Sequence, residues 1–162
     1  MPQTPPLIPE SGPILVSACL AGCACRYDGS SNPDDQVARL VAEGRAVLVC
    51  PEEDGGLGTP RPRAEIVGGT GEDVIEGKAR VVTVEGRDVT AEYLKGAERA
   101  LEAGRDSGAA VAILKTRSPS CGRGQIYDGT FTGSRRAGNG VTAALLERAG
   151  IAVVPNEGRA QD

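Results

Sequence analysis

The sequence predicts an α/β protein with a Rossmann-like three-layer fold, in which helices cover both faces of a mostly parallel sheet. Continuous apolar runs of four to six residues, typical of strands buried on both faces, occur at 14–18, 46–49, 109–114 and 151–154. Segments with helical spacing separate most of these runs, and alternation of strand and helix is typical of parallel sheets. A length of 162 residues suits one domain.

The first two predicted strands each run directly into a cysteine. The strand at 14–18 is followed by Cys19, and the strand at 46–49 by Cys50. Between them a helix is predicted to begin near Pro33, because proline favours the first helical turn and acidic residues suit the positive end of the helix dipole. Its apolar stripe ends at Gly44.

In the middle of the chain, the predicted alternation of strands and helices is interrupted. Residues 51–63 are rich in glycine and proline and are predicted to be a loop, and residues 64–90 form a predicted β-hairpin excursion with short pieces around 65–67 and 79–85. Thr90 is a predicted N-cap for a long helix that runs to about Ser107.

The third strand, 109–114, leads into a polar loop that contains Cys121. Residues 127–139 are glycine-rich and predicted to be irregular, residues 140–149 form the last predicted helix, and the fourth strand follows at 151–154. We expect a single domain over residues 13–156, between a disordered lead-in at 1–12 and a frayed tail at 157–162.

The predicted location is the cytoplasm. The proline-rich first dozen residues lack the charged and apolar regions of a signal peptide, and no run of 18 apolar residues predicts a membrane span. In a reducing compartment, an odd set of five cysteines indicates metal binding or catalysis rather than a disulfide framework.

Composition argues against several classes of function. A net charge of -4 does not favour sequence-independent binding to DNA. The four aromatic residues are too few for platforms that stack single-stranded bases. The absence of histidine removes histidine triads and histidine-ligated zinc, so any proton transfer falls to carboxylates, other side chains or water.

The cysteine positions point to a site at one edge of the sheet. Cys19, Cys50 and Cys121 each follow a predicted strand, and ligands of open parallel sheets bind outside the carboxyl ends of the strands. A free cysteine is also a common small buried residue. The local cluster of Cys19, Cys23 and Cys25 is another possible ligand set, but its spacing matches no zinc ribbon or ferredoxin pattern.

Four motifs around these cysteines resemble the thiouracil desulfidase family, and the resemblance covers roughly residues 13–155. They are 16–20 (VSACL) with 25–29 (CRYDG); 50–52 (CPE) with 55–57 (GGL) and 60–61 (PR); 114–115 (LK), 118–122 (SPSCG) and 127–131 (YDGTF); and 138–142 (GNGVT).

The resemblance implies an oxygen-sensitive [4Fe–4S] cluster held by Cys19, Cys50 and Cys121, with one iron open. It implies removal of sulfur from a thiolated pyrimidine, such as 2-thiouracil or a 4-thiouridine or 4-thio-UMP type of compound, without redox change and with release of sulfide. The open iron would act as a Lewis acid with affinity for sulfur. Iron–sulfur assembly machinery is then an expected partner, and DNA and membranes are not.

Candidate site residues follow from the same motifs. Because histidine is absent, Glu52 is the predicted general acid–base, although a loop carboxylate or helix cap would look the same. Ser118 is predicted to orient water, although serine is also common in turns. Predicted contacts to the substrate come from Ser120, Lys115, Arg26, Arg61 and Asn139. Each of these basic residues could also be a surface charge, and Asn139 could cap the last helix.

Two other functions stay open at this point. One is a non-catalytic iron–sulfur or zinc protein for sensing or sulfur trafficking, in which Cys23 or Cys25 adds a fourth thiolate. The other is an enzyme with a nucleophilic cysteine, whose thiolate would need a nearby lysine, arginine or helix N-terminus.

Overall fold

The fold was taken from a computed structural model, which describes residues 8–156. Strands are β1 Ile14–Ser17, β2 Ala46–Val49, β3 Ala64–Val67, β4 Arg80–Thr83, β5 Val111–Leu114, β6 Gln125–Tyr127, β7 Arg135–Ala137 and β8 Ala152–Pro155. Helices are α1 Asp35–Ala42, α2 Pro51–Asp54, α3 Gly71–Ile75, α4 Thr90–Ser107 and α5 Val141–Arg148. The predicted tail and the first seven residues of the predicted lead-in lie outside the described residues.

The central sheet contains four parallel strands in the order β2–β1–β5–β8, which confirms the predicted fold class. In register, Val16 of β1 pairs with Leu48 of β2 on one side and with Ile113 of β5 on the other. The two middle strands are fully buried. The expectation of full burial is wrong for β2, because it is an edge strand and its Leu48 is 45% exposed.

The two faces of the sheet pack against different helices, as a three-layer fold requires. Ile14 and Val16 lie in one apolar cluster with Val37 and Leu40 of α1. The intervening Leu15 lies in another cluster, with residues of α4 and α5. Neighbouring side chains of a strand point to opposite faces, so this alternation follows from the pleat of β1.

Helix α1 matches its prediction closely. Its N-cap is Asp34, whose carboxylate accepts the N–H groups of Gln36 and Val37 at 2.9 and 3.2 Å. Capping of this kind satisfies helix donors that have no partner within the helix.

The excursion between β2 and α4 is a hairpin of antiparallel β3 and β4, as predicted, but it carries one helix more than expected. The extra helix, α3, joins the two strands, and Asp73 in its first turn accepts the N–H of Thr70 at 2.9 Å. The predicted N-cap at Thr90 is wrong, because Val89 occupies that position. The Thr90 hydroxyl instead accepts the N–H of Val81 at 2.9 Å and so ties α4 to β4.

Two more elements lie in segments that were predicted to be irregular. Helix α2 begins at Pro51, inside the predicted loop. The hairpin of β6 and β7 falls largely within the segment 127–139, and all three residues of β7 are exposed. Strands of three residues are too short to show a periodic pattern.

Helix α2 lies unusually close to α4, and two glycines allow this. A Cβ atom on Gly96 would meet the carbonyl group of Pro51, with its carbon at 2.6 Å. A Cβ atom on Gly55 would meet the backbone of Glu92, with the carbonyl carbon at 3.0 Å. The backbones of the two helices are therefore in direct contact, which sets the position of the residues that α2 carries.

None of the helices within residues 8–156 has the length and apolar composition that crossing a membrane requires.

Candidate active site

Three cysteines from three strand ends line one cavity of about 230 Å³ at the carboxyl edge of the sheet. Cys19 follows β1 in a 3-10 turn, Cys50 follows β2 and caps α2, and Cys121 lies in the loop after β5. The structure thus brings together the residues that the strand positions predicted. Within residues 8–156, no three side chains of histidine, cysteine, aspartate or glutamate are arranged to hold a single metal ion.

A fourth cysteine, Cys25, lies among them. It is buried and lines the same cavity, and its carbonyl oxygen accepts a hydrogen bond from the Cys50 thiol at 3.7 Å. The Cys19 thiol beside it, together with burial, raises the pKa of Cys25 to about 12, although the Cys50 thiol opposes the rise. Cys23, in contrast, is exposed.

The loop that carries Cys121 is held by hydrogen bonds. The Ser118 hydroxyl accepts the N–H groups of Ser120 and Cys121, each at 3.0 Å. Burial raises the pKa of Cys121 to about 12, against the effect of a hydrogen bond with Ser17. Burial thus favours the neutral thiol, and a bound cation or metal would favour the thiolate instead.

Glu52, the predicted acid–base, lies in the first turn of α2 and is fixed from three directions. Its Oε1 accepts the Arg61 Nε–H at 2.9 Å, and its Oε2 accepts the Ser118 hydroxyl at 3.4 Å. The hydroxyl of Tyr93 lies beside the same carboxylate, and burial together with the Glu52 charge raises the pKa of Tyr93 well above its ordinary value. Tyr93 also lines the cavity.

The Arg61 side chain is buried and hydrogen-bonded, and it is not a surface charge. Besides Glu52, its guanidinium donates to the carbonyl oxygens of Cys25 at 2.9 Å and Gly58 at 3.1 Å, and to the Thr59 hydroxyl at 2.8 Å. Burial works against the charge, but the Glu52 carboxylate outweighs it and raises the pKa of Arg61. Its hydrogen bonds hold the Cys25 loop and Glu52 in one arrangement.

Lys115 and Arg26 also line the cavity, and their predicted contacts with a substrate stay a prediction. Lys115 is buried, and burial together with the nearby charge of Arg26 lowers the pKa of Lys115. Its ammonium group donates to the Thr116 carbonyl at 3.3 Å, and the Arg26 guanidinium lies 5.9 Å from the centre of the Tyr27 ring.

A second carboxylate, that of Glu65 of β3, also lines the cavity. It is only 2% exposed, and its Oε1 accepts the N–H groups of Gly129 at 2.9 Å and Phe131 at 3.1 Å. Sequence reasoning missed Glu65 and Tyr93. The only signal for Glu65 was a charged residue within a predicted strand, and Tyr93 looked like a core residue of a helix.

Two predicted substrate-binding residues do not line the cavity. Ser120 is buried and its hydroxyl pairs with that of Thr142 at 2.7 Å. The side chain of Asn139 accepts the Gly124 N–H at 2.8 Å and donates to Glu147 at 3.3 Å. These contacts give no support to a substrate role for either residue, and both roles stay predictions.

The N-terminus of α5 is not open to an anionic ligand. Its N–H groups donate to the Cys121 loop: Val141 to the Pro119 carbonyl and Thr142 to the Ser120 carbonyl, each at 2.8 Å. The preceding Gly140 N–H donates in the same way to Gly122 at 2.7 Å. The helix therefore supports the loop that carries Cys121.

Comparison with known proteins agrees with this geometry. The family model of 2-thiouracil desulfurase matches residues 14–158. The chain belongs to this family. The resemblance predicted from the four motifs is thereby confirmed.

Two known proteins are similar to this desulfurase-family chain over most of its length. An uncharacterized protein of Bacillus subtilis strain 168, YbbK, is 52% identical over 141 residues, which are 87% of this chain and 93% of that protein. The solved structure of TudS, a [4Fe-4S]-dependent thiouracil desulfidase, is 48% identical with a TM-score of 0.80, and the match covers 91% of this chain and 92% of TudS.

Proposed function

We propose that the protein removes sulfur from a thiolated pyrimidine and releases sulfide, using a [4Fe–4S] cluster held by Cys19, Cys50 and Cys121. The observation that carries the proposal is the meeting of three thiols from three strand ends with the braced carboxylate of Glu52 in one cavity. Membership of the desulfurase family and the similarity to TudS support the same chemistry.

The donor set suits such a cluster. Each thiolate of a [4Fe–4S] cluster binds a different iron atom, so the three thiols need not converge on one point as they would around a single ion. Metal binding deprotonates a coordinating thiol, which overcomes the raised pKa of Cys121. When bound, the cluster supplies a Lewis-acidic iron with affinity for the substrate's sulfur.

The chain's own residues supply the proton transfers. Replacing C=S by C=O consumes one water and releases hydrogen sulfide, so no electrons are needed and the reaction is not a redox step. We expect the Glu52 carboxylate to accept a proton from the attacking water and to deliver it to the departing sulfur, so that both protons of the water leave in hydrogen sulfide. Arg61 holds Oε1 of that carboxylate, and the Ser118 hydroxyl at Oε2 is placed to orient the water.

The charge of the cavity favours a substrate that carries a phosphate. Basic residues in its lining outnumber the two carboxylates, Glu52 and Glu65; they are Arg26, Arg61, Arg63, Lys115 and Arg117. A cleft with one predominant sign of charge attracts ligands of the opposite sign. A nucleotide of the 4-thio-UMP type therefore fits better than a free base such as 2-thiouracil.

The position of Cys25 favours one second candidate. If this thiol occupied the remaining iron, the site would be closed, as structural metal sites are, whereas the arrangement of side chains in residues 8–156 gives no support to a single zinc ion. The protein would then be a non-catalytic protein for sensing or sulfur trafficking. Contact of Cys25 with the Cys19 and Cys50 thiols is the observation behind this alternative.

The test is anaerobic reconstitution with iron and sulfide, followed by an assay of sulfide release from 2-thio- and 4-thio-pyrimidines as bases, nucleosides and nucleotides. We expect a brown protein with turnover. Changing any of the three proposed ligands to serine should abolish both, whereas Cys23→Ser, at an exposed thiol, is the matched control and should change neither.

Cys25→Ser separates the two candidates. Retention of cluster and turnover in this variant supports the open-iron enzyme. A wild-type protein that binds about one zinc, or a cluster without turnover on any substrate, would contradict the proposal.

A further inference from the structure

The buried carboxylate of Glu65 has a free acceptor atom in the cavity. Both hydrogen bonds that it accepts go to Oε1. No group among residues 8–156 donates a hydrogen bond to Oε2, and the side chain lines the cavity. Oε2 is not among the buried side-chain atoms that lack a partner within residues 8–156, so it is open to the cavity, where it can accept a hydrogen bond from an N–H or O–H group of a bound ligand.

The carboxylate is held rigidly in that position. The Gly129 N–H reaches it only because the backbone of this loop lies directly against β3. Gly129 has a φ of +91°, and a Cβ atom there would lie 3.2 Å from the Val67 Cα. With Oε1 occupied by the N–H groups of Gly129 and Phe131, the direction in which Oε2 points is set before a substrate binds, which favours selectivity.

The chemistry of the free atom defines what it selects. A carboxylate oxygen accepts hydrogen bonds and donates none. Uracil-type rings carry an N–H at ring position 3, whereas cytosine-type rings carry a lone pair there. A site built to accept a substrate N–H rejects an analogue that lacks it, because the site's buried acceptor is then left without a partner.

We propose that Glu65 recognises the ring N3–H of the thiopyrimidine and so restricts the enzyme to uracil-type rings. This inference rests on the proposed function and extends it. Glu52 is the carboxylate proposed to transfer protons in the reaction, and Glu65 is a second carboxylate with a separate role. Glu65 would act in binding and selectivity rather than in proton transfer.

The decisive variant is Glu65→Gln. The amide oxygen of glutamine can keep the hydrogen bonds to Gly129 and Phe131, and its NH₂ group then replaces Oε2 with a donor. We expect the preference for 2-thiouracil over 2-thiocytosine, measured as a ratio of specificity constants, to fall by about 10- to 100-fold, the range for a lost hydrogen bond to a charged group. Calorimetric titration of the cluster-loaded protein with uracil and cytosine should show the same shift without turnover.

Glu85→Gln is the matched control, because Glu85 lies in the same hairpin excursion and is exposed. It removes the same charge and should leave the ratio unchanged. If Glu65→Gln lowers the melting temperature and slows both substrates equally, Glu65 only anchors the loop and the inference is overturned.

A measurement on the wild-type protein covers the case in which the variant does not fold. Uracil methylated at N3 should bind at least about 10-fold more weakly than uracil, and equal binding would overturn the inference. Different results would refute the proposed function and the role of Glu65. Absence of sulfide release from every thiopyrimidine would refute the proposed function and the inference with it, whereas turnover with an unchanged uracil-to-cytosine ratio would refute only the role of Glu65.

Discussion

The contact between α2 and α4 predicts that one methyl group on a residue outside the cavity lining, Gly96, will disable the site. In Gly96→Ala, the new Cβ would lie 2.6 Å from the Pro51 carbonyl carbon, where ordinary contact begins at 3.4 Å. The Pro51 carbonyl oxygen would lie closer still, so the helices would have to separate by more than about 0.8 Å. Since Cys50 caps α2 and Glu52 lies in its first turn, both would move with it.

Two opposing effects determine how much Gly96→Ala lowers the stability of the protein. Alanine in place of glycine stabilises a helix interior by about 1 kcal/mol. Overpacking a close contact costs about 1–3 kcal/mol, and the upper part of this range applies because the neighbour is backbone and cannot rotate away. We expect a net loss of about 2 kcal/mol, or a fall in melting temperature of about 4–8 °C for a domain of this size. A displacement of about 1 Å at a reacting group slows turnover by about 10²-fold.

Gly104→Ala is the matched control in the same helix. Its Cβ would meet the terminal methyl of Ile151 at 2.8 Å, which is the end of a flexible side chain. This variant should keep its turnover and melt at the wild-type temperature or above it. Thermal unfolding and anaerobic sulfide release measure both effects. Wild-type values of both in Gly96→Ala would refute the conclusion that the α2–α4 contact positions Glu52.

Two further predictions concern carboxylates. Glu52→Gln should keep the brown cluster yet slow sulfide release by about 10²-fold or more, typical of a lost acid–base group, and unchanged turnover would remove Glu52 from the mechanism. The second concerns Asp73, whose pKa is lowered by the Thr70 N–H, so its stabilising effect is present above the ordinary aspartate pKa and is lost as the pH falls through the lowered value. Asp73→Asn should thus lower the melting temperature near pH 7, and this effect should fade below about pH 4 and disappear in solution more acidic than the lowered pKa. An equal loss at both pH values would contradict the role of charge.

The part of the site that lies on the central sheet could be predicted from the sequence. Continuous apolar runs defined the strands, and the carboxyl ends of parallel strands share one edge, so the convergence of Cys19, Cys50 and Cys121 followed without coordinates. The motif after β2 likewise indicated that Glu52 belongs to the site.

The remaining parts come from tertiary packing that leaves no periodic signal. Helix α2 has four residues and α3 has five, which is too short for a helical repeat to appear. Tyr93 and Glu65 reach the cavity from α4 and from the β3–β4 hairpin, which lie outside the four-stranded sheet. Their positions depend on close contacts such as that of Gly96 with Pro51, which no local pattern specifies.

The spread of the three thiols along the chain also has a consequence for when a cluster can be inserted. In ferredoxin-type motifs most ligands lie within a few residues of one another. Here the first and last proposed ligands lie about a hundred residues apart, and they meet only after β1 has paired with both β2 and β5. A nascent chain that ends before β5 lacks Cys121 and cannot complete the site. Insertion of the cluster can therefore be completed only after the chain beyond β5 has been made and β1 has paired with both of its neighbours.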